Sequence, residues 1–146
     1  MKKSYYIIAA LGLFLIIVAR GVYAPQTQNA REIIKAGGVP IKIERAISES
    51  QRERGLMYRD YLDEDAGMLF IFPNAVPQAF WNKNTFIPLD VVWIRDNIIV
   101  GVSDLPSISD GPVAVSSNEI VNAVLEVNRG FVASHGIRVG DKIIYE

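Results

Sequence analysis

The feature that most constrains the fold of this chain is the succession of short apolar or alternating runs after residue 38. Val39 to Ala46 alternates apolar and polar side chains, which is the period of a half-buried strand. Gly67 to Phe72 is wholly apolar and stops at Pro73. Further runs of strand length are Phe80–Phe86, Leu89–Arg95, Ile98–Val102, Val113–Ser116, Ala123–Asn128 and Lys142–Tyr145. Turn residues Asp96 and Asn97 between two of these runs predict a hairpin.

Two segments predict short helices among these strands. Ser48 is followed three residues later by Gln51, which is the form of a capping box, and Gly55 is a plausible end for that helix. Phe131 to His135 is the second helix candidate. Many short strands with one or two short helices indicate a mainly β, β-rich α+β fold, either a small barrel or a sandwich. We expect residues 39–146 to form one domain, because the whole chain has only 146 residues.

The N-terminal 24 residues have the pattern of a targeting or anchoring segment. Lys2 and Lys3 precede an apolar run from residue 5 to residue 18, and Arg20 interrupts it. A helix over residues 5–24 would be about 30 Å long, which matches the hydrocarbon core of a bilayer. We therefore expect a retained single-pass membrane anchor through residues 5–24. The alternative is a signal peptide cleaved after Ala24, although Pro25 directly after that site should hinder the peptidase.

Both interpretations place the rest of the chain outside the cytoplasm, because positive residues stay on the cytoplasmic side. The protein would be anchored in the cell membrane, or secreted or periplasmic if the segment is cleaved. Residues 25–38 begin with polar residues and end in Gly37-Gly38, so we expect a linker there.

Composition excludes several classes of function. The chain has no cysteine, which rules out disulfides, thiolate metal sites and a cysteine nucleophile. All 16 acidic residues but only 12 of the 15 basic ones lie after residue 24, a net charge near −4. Nucleic acid is therefore not an expected partner, since a phosphate backbone attracts clustered Lys and Arg. The sequence also lacks a Gly-x-Ser-x-Gly elbow, a Gly-rich phosphate loop and a His-Glu-x-x-His motif, and no metal site or cofactor is expected.

Five blocks in fixed order carry a resemblance to a known family. They are Arg54–Arg59 (RGLMYR), Gly67–Pro73 (GMLFIFP), Phe80–Asp90 (FWNKNTFIPLD), Leu125–Gly130 (LEVNRG) and Gly136–Asp141 (GIRVGD). Over about residues 40–146 the chain resembles the bacterial and archaeal family known as domain of unknown function 192. The resemblance implies no activity, because none is assigned to that family. The family pattern has methionine at the position of Asn82, so the resemblance does not carry a ligand preference to this chain.

The block from Phe80 to Asp90 contains the candidate binding residues. On a strand, Asn82 and Asn84 would share one face while Trp81 and Lys83 share the other. Amides provide both donors and acceptors, and a tryptophan offers a flat apolar platform, a combination that suits sugars and other polyols. The alternative is that the amides bridge backbone groups where the strand bends. Trp81 is expected to be at least partly exposed and to border a concave patch with Lys83.

Asp90 has two possible roles in this sequence. It shares a strand face with Val92 and Ile94, so a partly buried carboxylate needs a cation or several N–H donors. A salt bridge to Arg54, Arg59 or Lys83 is the structural interpretation. The catalytic interpretation pairs Asp90 with Glu126 as acid and base, although alternation with Leu125 and Val127 predicts Glu126 to lie away from their buried face.

Three functions remain open from the sequence. The favoured hypothesis is a non-catalytic extracytoplasmic binding or accessory module for a small polar or sugar-like ligand, with its site at Trp81, Asn82, Lys83, Asn84 and Asp90. The second is a carboxylate-based hydrolase acting on envelope glycans through Asp90 and Glu126. The third is a structural protein that binds a partner.

Overall fold

A computed structural model describes residues 32–146 of the chain. The predicted anchor and the first part of the predicted linker lie outside the described residues. Nine strands, two short α-helices and one 3-10 turn make up the described part. In chain order they are β1 (Glu32–Ala36), β2 (Val39–Ala46), α1 (Glu49–Arg54), β3 (Ala66–Val76), β4 (Ala79–Trp81), β5 (Leu89–Arg95), β6 (Ile98–Leu105), the 3-10 turn (Ile108–Asp110), β7 (Ala114–Ser116), β8 (Val121–Asn128), α2 (Phe131–Ser134) and β9 (Ile143–Tyr145).

Seven strands form one curled sheet in the order β6-β5-β8-β3-β2-β1-β9. Every neighbouring pair is antiparallel except β2 and β3, which run parallel. The two edges approach each other at one end, where Ile98 bridges Lys142 and the amide of Ile143 donates to the carbonyl of Asn97. The sheet is therefore a half-barrel of short strands, and the predicted mainly β fold with two short helices is confirmed.

The sheet is apolar on both faces. Inside the curl, side chains from both edge strands pack with Leu69, Val92 and Leu125, and α2 contributes Phe131 and Val132. Burial on this inner face explains why the strands read as nearly continuous apolar runs.

The outer face carries a second core that positions the candidate site. Phe70, Val91 and Trp93 from the sheet pack there against Leu56, which follows α1, and Phe80 of β4. The covering layer consists of α1 with the turn after it and a small two-stranded sheet formed by β4 and β7.

The local signals around α1 and the β5–β6 hairpin are confirmed. Ser48 accepts from the amide of Gln51, and the Gln51 side chain accepts from the amide of Ser48, which completes the capping box. Asp96 and Asn97 both have positive φ angles, as a tight hairpin turn requires.

Three sequence predictions are corrected by the fold. Residues 32–36 of the predicted linker form β1, because they pair along their whole length with β2. The strand expected to stop at Pro73 continues to Val76, with an irregular register after Ile71 that accommodates the proline. The strand expected from residue 80 to residue 86 ends at Trp81, because Asn84 adopts a left-handed φ of 53° in a turn.

Among residues 32–146, no helix has the length and apolar character needed to cross a membrane.

Candidate functional site

Asn82 is a structural residue buried in the turn that follows β4. Only 1% of it is exposed, and its side-chain amide donates to the carbonyls of Pro106 (3.0 Å) and Gly111 (2.8 Å). Its side-chain oxygen accepts from the amide of Val113 at 2.9 Å. These bonds use three of the four hydrogen-bonding positions of the amide. The interpretation that this amide bridges backbone groups is correct, and almost none of Asn82 is accessible to a ligand.

Asn84 connects the same turn to the segment after α1. Its side-chain amide donates to the hydroxyl of Tyr58 at 2.7 Å. Its backbone carbonyl accepts from the backbone amide of Tyr58 at 2.8 Å. The alternation predicted that Asn82 and Asn84 share one strand face. This prediction is wrong, because the strand ends at Trp81, before both residues. Asn84 instead holds Tyr58 near the candidate site.

Trp81 and Lys83 form the exposed part of this block. Trp81 is 57% exposed, as expected, and the ammonium of Lys83 lies 4.8 Å from the centre of its ring. That distance is within the range of a cation–π contact. Lys83 makes no ion pair with any residue of the described chain.

An open hollow of about 680 Å³ lies between α1 and this pair; we call it the outer cleft. Trp81 and Lys83 border it on one side, and Arg54, Met57 and Tyr58 on the other. Within residues 32–146, Arg54 also lacks an ion-pair partner. Two cations without an ion pair thus stand beside an exposed aromatic ring, and one acid, Glu53, lines the same hollow.

A smaller hollow of about 220 Å³ adjoins the outer cleft, and we call it the inner chamber. The two share Glu53, Arg54, Met57 and Trp81. The lining of the chamber combines apolar and aromatic residues with polar ones, which are Arg52, Glu53, Arg54, Gln78, Thr85 and Glu126. The aromatic members are Phe70, Phe72, Phe80 and Trp81.

Glu126 lies on the opposite face from Leu125 and Val127, as the alternation predicts, but that face is buried as well. It lies in β8 at the centre of the sheet, opposite Val91 of β5 and Met68 of β3, both on the outer face. This face is covered by α1 and β4, so only 5% of Glu126 is exposed. No group in the described part of the chain hydrogen-bonds or ion-pairs with its carboxyl. Burial without compensation raises the pKa of Glu126 to about 8.

Asp90 is also buried, but each of its carboxylate oxygens accepts a hydrogen bond. One oxygen accepts from the amide of Gly130 at 3.1 Å and the other from the amide of Val132 at 3.0 Å. These donors are free backbone groups at the start of α2. The preferred salt bridge to Arg54, Arg59 or Lys83 is wrong: the partners are backbone N–H groups, and Arg59 pairs with Glu44.

The strand register separates Asp90 from Glu126. Asp90 is opposite Val127 of β8, while Glu126 is opposite Val91 of β5. Since residues opposite each other share a face and neighbours alternate, the two carboxylates point to opposite faces of the sheet. The paired-carboxylate arrangement of the hydrolase hypothesis is not formed. The described residues also contain no group of three His, Cys, Asp or Glu side chains placed to hold a metal ion.

Comparison with known proteins places the chain in a family. The model of the family DUF192, described as "Uncharacterized ACR", matches residues 32–145. The chain belongs to the DUF192 family. No match was found among curated proteins.

Two solved structures share this fold. One is a proposed transcription regulator from Sinorhizobium meliloti 1021, 38% identical, with a TM-score of 0.68 over 77% of this chain and 88% of that one. The other is a protein of unknown function from Novosphingobium aromaticivorans DSM 12444, 28% identical, with a TM-score of 0.69 over 78% of this chain and 82% of that one. These two structures give the fold independent support.

The inner chamber was missed by the sequence reasoning. A usable signal was present in β8, where apolar residues on both sides of Glu126 indicate a strand covered on both faces. Any charged residue in such a strand is buried whichever face it occupies. The sequence therefore contained a signal that Glu126 is a buried acid and a candidate site residue.

Proposed function

We propose that this DUF192 protein is a non-catalytic, extracytoplasmic binding module for a small polar or sugar-like ligand, and that the ligand lies in the outer cleft. The observation that carries the proposal is the exposed ring of Trp81 at the border of this cleft, with the Lys83 ammonium against it. Large exposed aromatic side chains are enriched where proteins recognise partners.

The chemistry of the outer cleft supports a polar ligand. Trp81 offers an apolar platform for one face of a ring or chain, while Lys83 and Arg54 offer hydrogen-bond donors that form no ion pair with a described acid. Hydroxyl groups and anionic groups are both acceptors for such donors.

A binding role fits the positions of the acids better than hydrolysis does. A glycan hydrolase of the ordinary kind needs two carboxyl groups about 5 to 10 Å apart across one cleft. Asp90 and Glu126 lie on opposite faces of the sheet, and Asp90 is occupied by the start of α2.

The extracytoplasmic location rests on Lys2, Lys3 and the apolar run after them. A reporter enzyme that works only outside the cytoplasm should be active when fused after Glu146. Fractionation would separate an anchored protein from a secreted one, and an exclusively cytoplasmic protein would refute this part of the proposal.

The regulator-like relative does not change the proposed ligand class. Its description as a proposed transcription regulator applies to that protein. For this chain, the acidic surplus after residue 24 argues against a phosphate backbone as the ligand.

A thermal-shift screen of the purified full-length chain against envelope sugars and small metabolites tests the proposal. A compound that raises the Tm should lose at least tenfold in affinity with Trp81→Ala and with Lys83→Ala. Tyr61→Ala and Lys142→Ala are the matched controls, because both side chains are exposed outside the cleft and should leave affinity unchanged. Equal affinity in all four variants would place the ligand elsewhere and refute the outer cleft.

A further inference from the structure

The inner chamber holds a carboxyl group that the fold leaves without a partner. Glu126 is 5% exposed and borders the chamber, yet nothing in residues 32–146 donates a hydrogen bond or supplies a cation to it. Buried carboxyl groups are normally satisfied by donors or by an opposite charge. Asp90, one strand away, has two backbone donors.

The cations near the chamber do not compensate this acid. The charged side chains that line it besides Glu126 are Arg52, Glu53 and Arg54, all on α1; Thr85 and the lining residues of β4 are uncharged. The guanidinium of Arg52 donates to the carbonyls of Ile47 and Ile71 and lies 5.4 Å from the centre of the Phe72 ring. Burial is the cause of the raised pKa of Glu126, and no neighbouring cation counters it.

The aromatic walls suit a positive charge. Phe70, Phe72 and Phe80 form edge-to-face contacts, with centroids 4.9 Å apart for Phe70 and Phe80 and 6.4 Å apart for Phe72 and Phe80. The faces of aromatic rings attract cations. The chain already places its own cations over two lining rings, Lys83 over Trp81 and Arg52 over Phe72. Glu126 is the buried acid of this lining, and no cation of the described chain lies within ion-pair distance of it.

We infer that the inner chamber binds an ammonium group, with Glu126 as its counter-ion and the aromatic walls around its carbon chain. The inference rests on the proposed function, because it identifies one end of the ligand held in the adjoining outer cleft. The ligand class is a small organic amine whose polar remainder extends past Trp81 toward Lys83.

Binding of an ammonium group should release a proton. Since burial raises the pKa of Glu126 to about 8, the free carboxyl is mostly protonated at pH 7. An ion pair requires the carboxylate, so complex formation expels that proton to solvent. Affinity should therefore rise almost tenfold per pH unit up to about pH 8, level off above it, and fall again at a pH where the amine itself loses its proton.

Calorimetric titration of the full-length protein with benzylamine and n-butylamine tests the inference. Benzyl alcohol and n-butanol serve as neutral probes of the same size. We expect the amines to bind at least tenfold more tightly than the alcohols. In buffers of different ionisation enthalpy at pH 7, amine binding should release close to one proton.

Two matched variants decide which carboxyl is responsible. Glu126→Gln keeps the size of the side chain and removes its charge, so it should abolish both the amine preference and the proton release. Glu53→Gln removes the other carboxyl that lines the chamber and should change neither.

Other outcomes overturn the inference in distinguishable ways. Alcohols that bind as tightly as amines, and still bind Glu126→Gln, would mean a neutral ligand held by a protonated acid. Loss of amine binding only in Glu53→Gln would mean that Glu53, and not Glu126, is the counter-ion of the amine. No amine binding, with a sugar or metabolite that depends on Trp81, would refute the ammonium chamber and leave the proposed function standing. No binding of any probe or screened compound would refute both.

Discussion

Two buried carboxyl groups on neighbouring strands of this sheet show how differently a fold can treat the same chemistry. Asp90 faces the inside of the half-barrel, where the amides of Gly130 and Val132 donate to both of its oxygens. Glu126 faces the outer layer, where burial raises its pKa to about 8 and no described group compensates it. A buried carboxyl group with hydrogen-bond donors stabilises the fold. A buried carboxyl group without donors, beside a cavity, is characteristic of a functional site.

The largest expected effect comes from the pH dependence of stability at Glu126. Its pKa is raised in the folded protein above the ordinary value of 4.5, so the folded state holds a proton that the unfolded state releases. Stability should therefore fall as pH rises from about 4.5 to about 8, by roughly 4 to 5 kcal/mol in total at about 1.4 kcal/mol per pH unit. Chemical denaturation of the wild type and of Glu126→Gln across this range should show the loss only in the wild type. Parallel curves would mean that the Glu126 carboxyl is solvated or paired in the folded protein.

The second largest effect is expected from removing the Asp90 side chain. Asp90→Ala leaves two backbone amides at the start of α2 without acceptors and should cost about 2 to 3 kcal/mol in the free energy of unfolding at pH 7. Asp90→Asn keeps one acceptor oxygen and should cost less. A change within about 0.5 kcal/mol of the wild type for Asp90→Ala would show that these two hydrogen bonds contribute little to stability, and it would erase the contrast with Glu126.

The smallest stability effects are expected at the mouth of the cleft. Trp81 is 57% exposed and Lys83 is exposed, so Trp81→Ala and Lys83→Ala should each change the free energy of unfolding by less than about 1 kcal/mol. Their effect should appear in ligand affinity instead. A loss of several kcal/mol on removing either side chain would show that the pair is part of the core, and the binding proposal would lose its main support.

Local features of the fold could be predicted from the sequence because each depends on neighbouring residues. The capping box of Ser48 and Gln51 and the hairpin turn at Asp96 and Asn97 are complete within a few positions. The strand β1 was not predicted, because its five residues have no clear strand pattern of their own. It is a strand because it pairs with β2.

The candidate site was less predictable because it depends on distant residues. Asp90 finds its donors 40 and 42 residues away, and the face of Glu126 follows from a register set between β8 and two other strands. Trp81 and Lys83 could be identified from residue type alone, since a tryptophan beside polar residues already predicts an exposed platform. The turn that buries Asn82 depends on carbonyls from residues 106 and 111, which no local pattern indicates.

The ionisation state of Glu126 is the most direct test of this account. A titration of the full-length protein, followed by the carbon-13 chemical shift of the Glu126 carboxyl group and assigned with Glu126→Gln, would report its pKa in the folded state. We expect a midpoint near pH 8, because burial without a partner disfavours the carboxylate. A midpoint near the ordinary value of 4.5 would mean that the carboxyl is solvated or paired, and it would contradict the unpartnered acid on which the inner chamber depends.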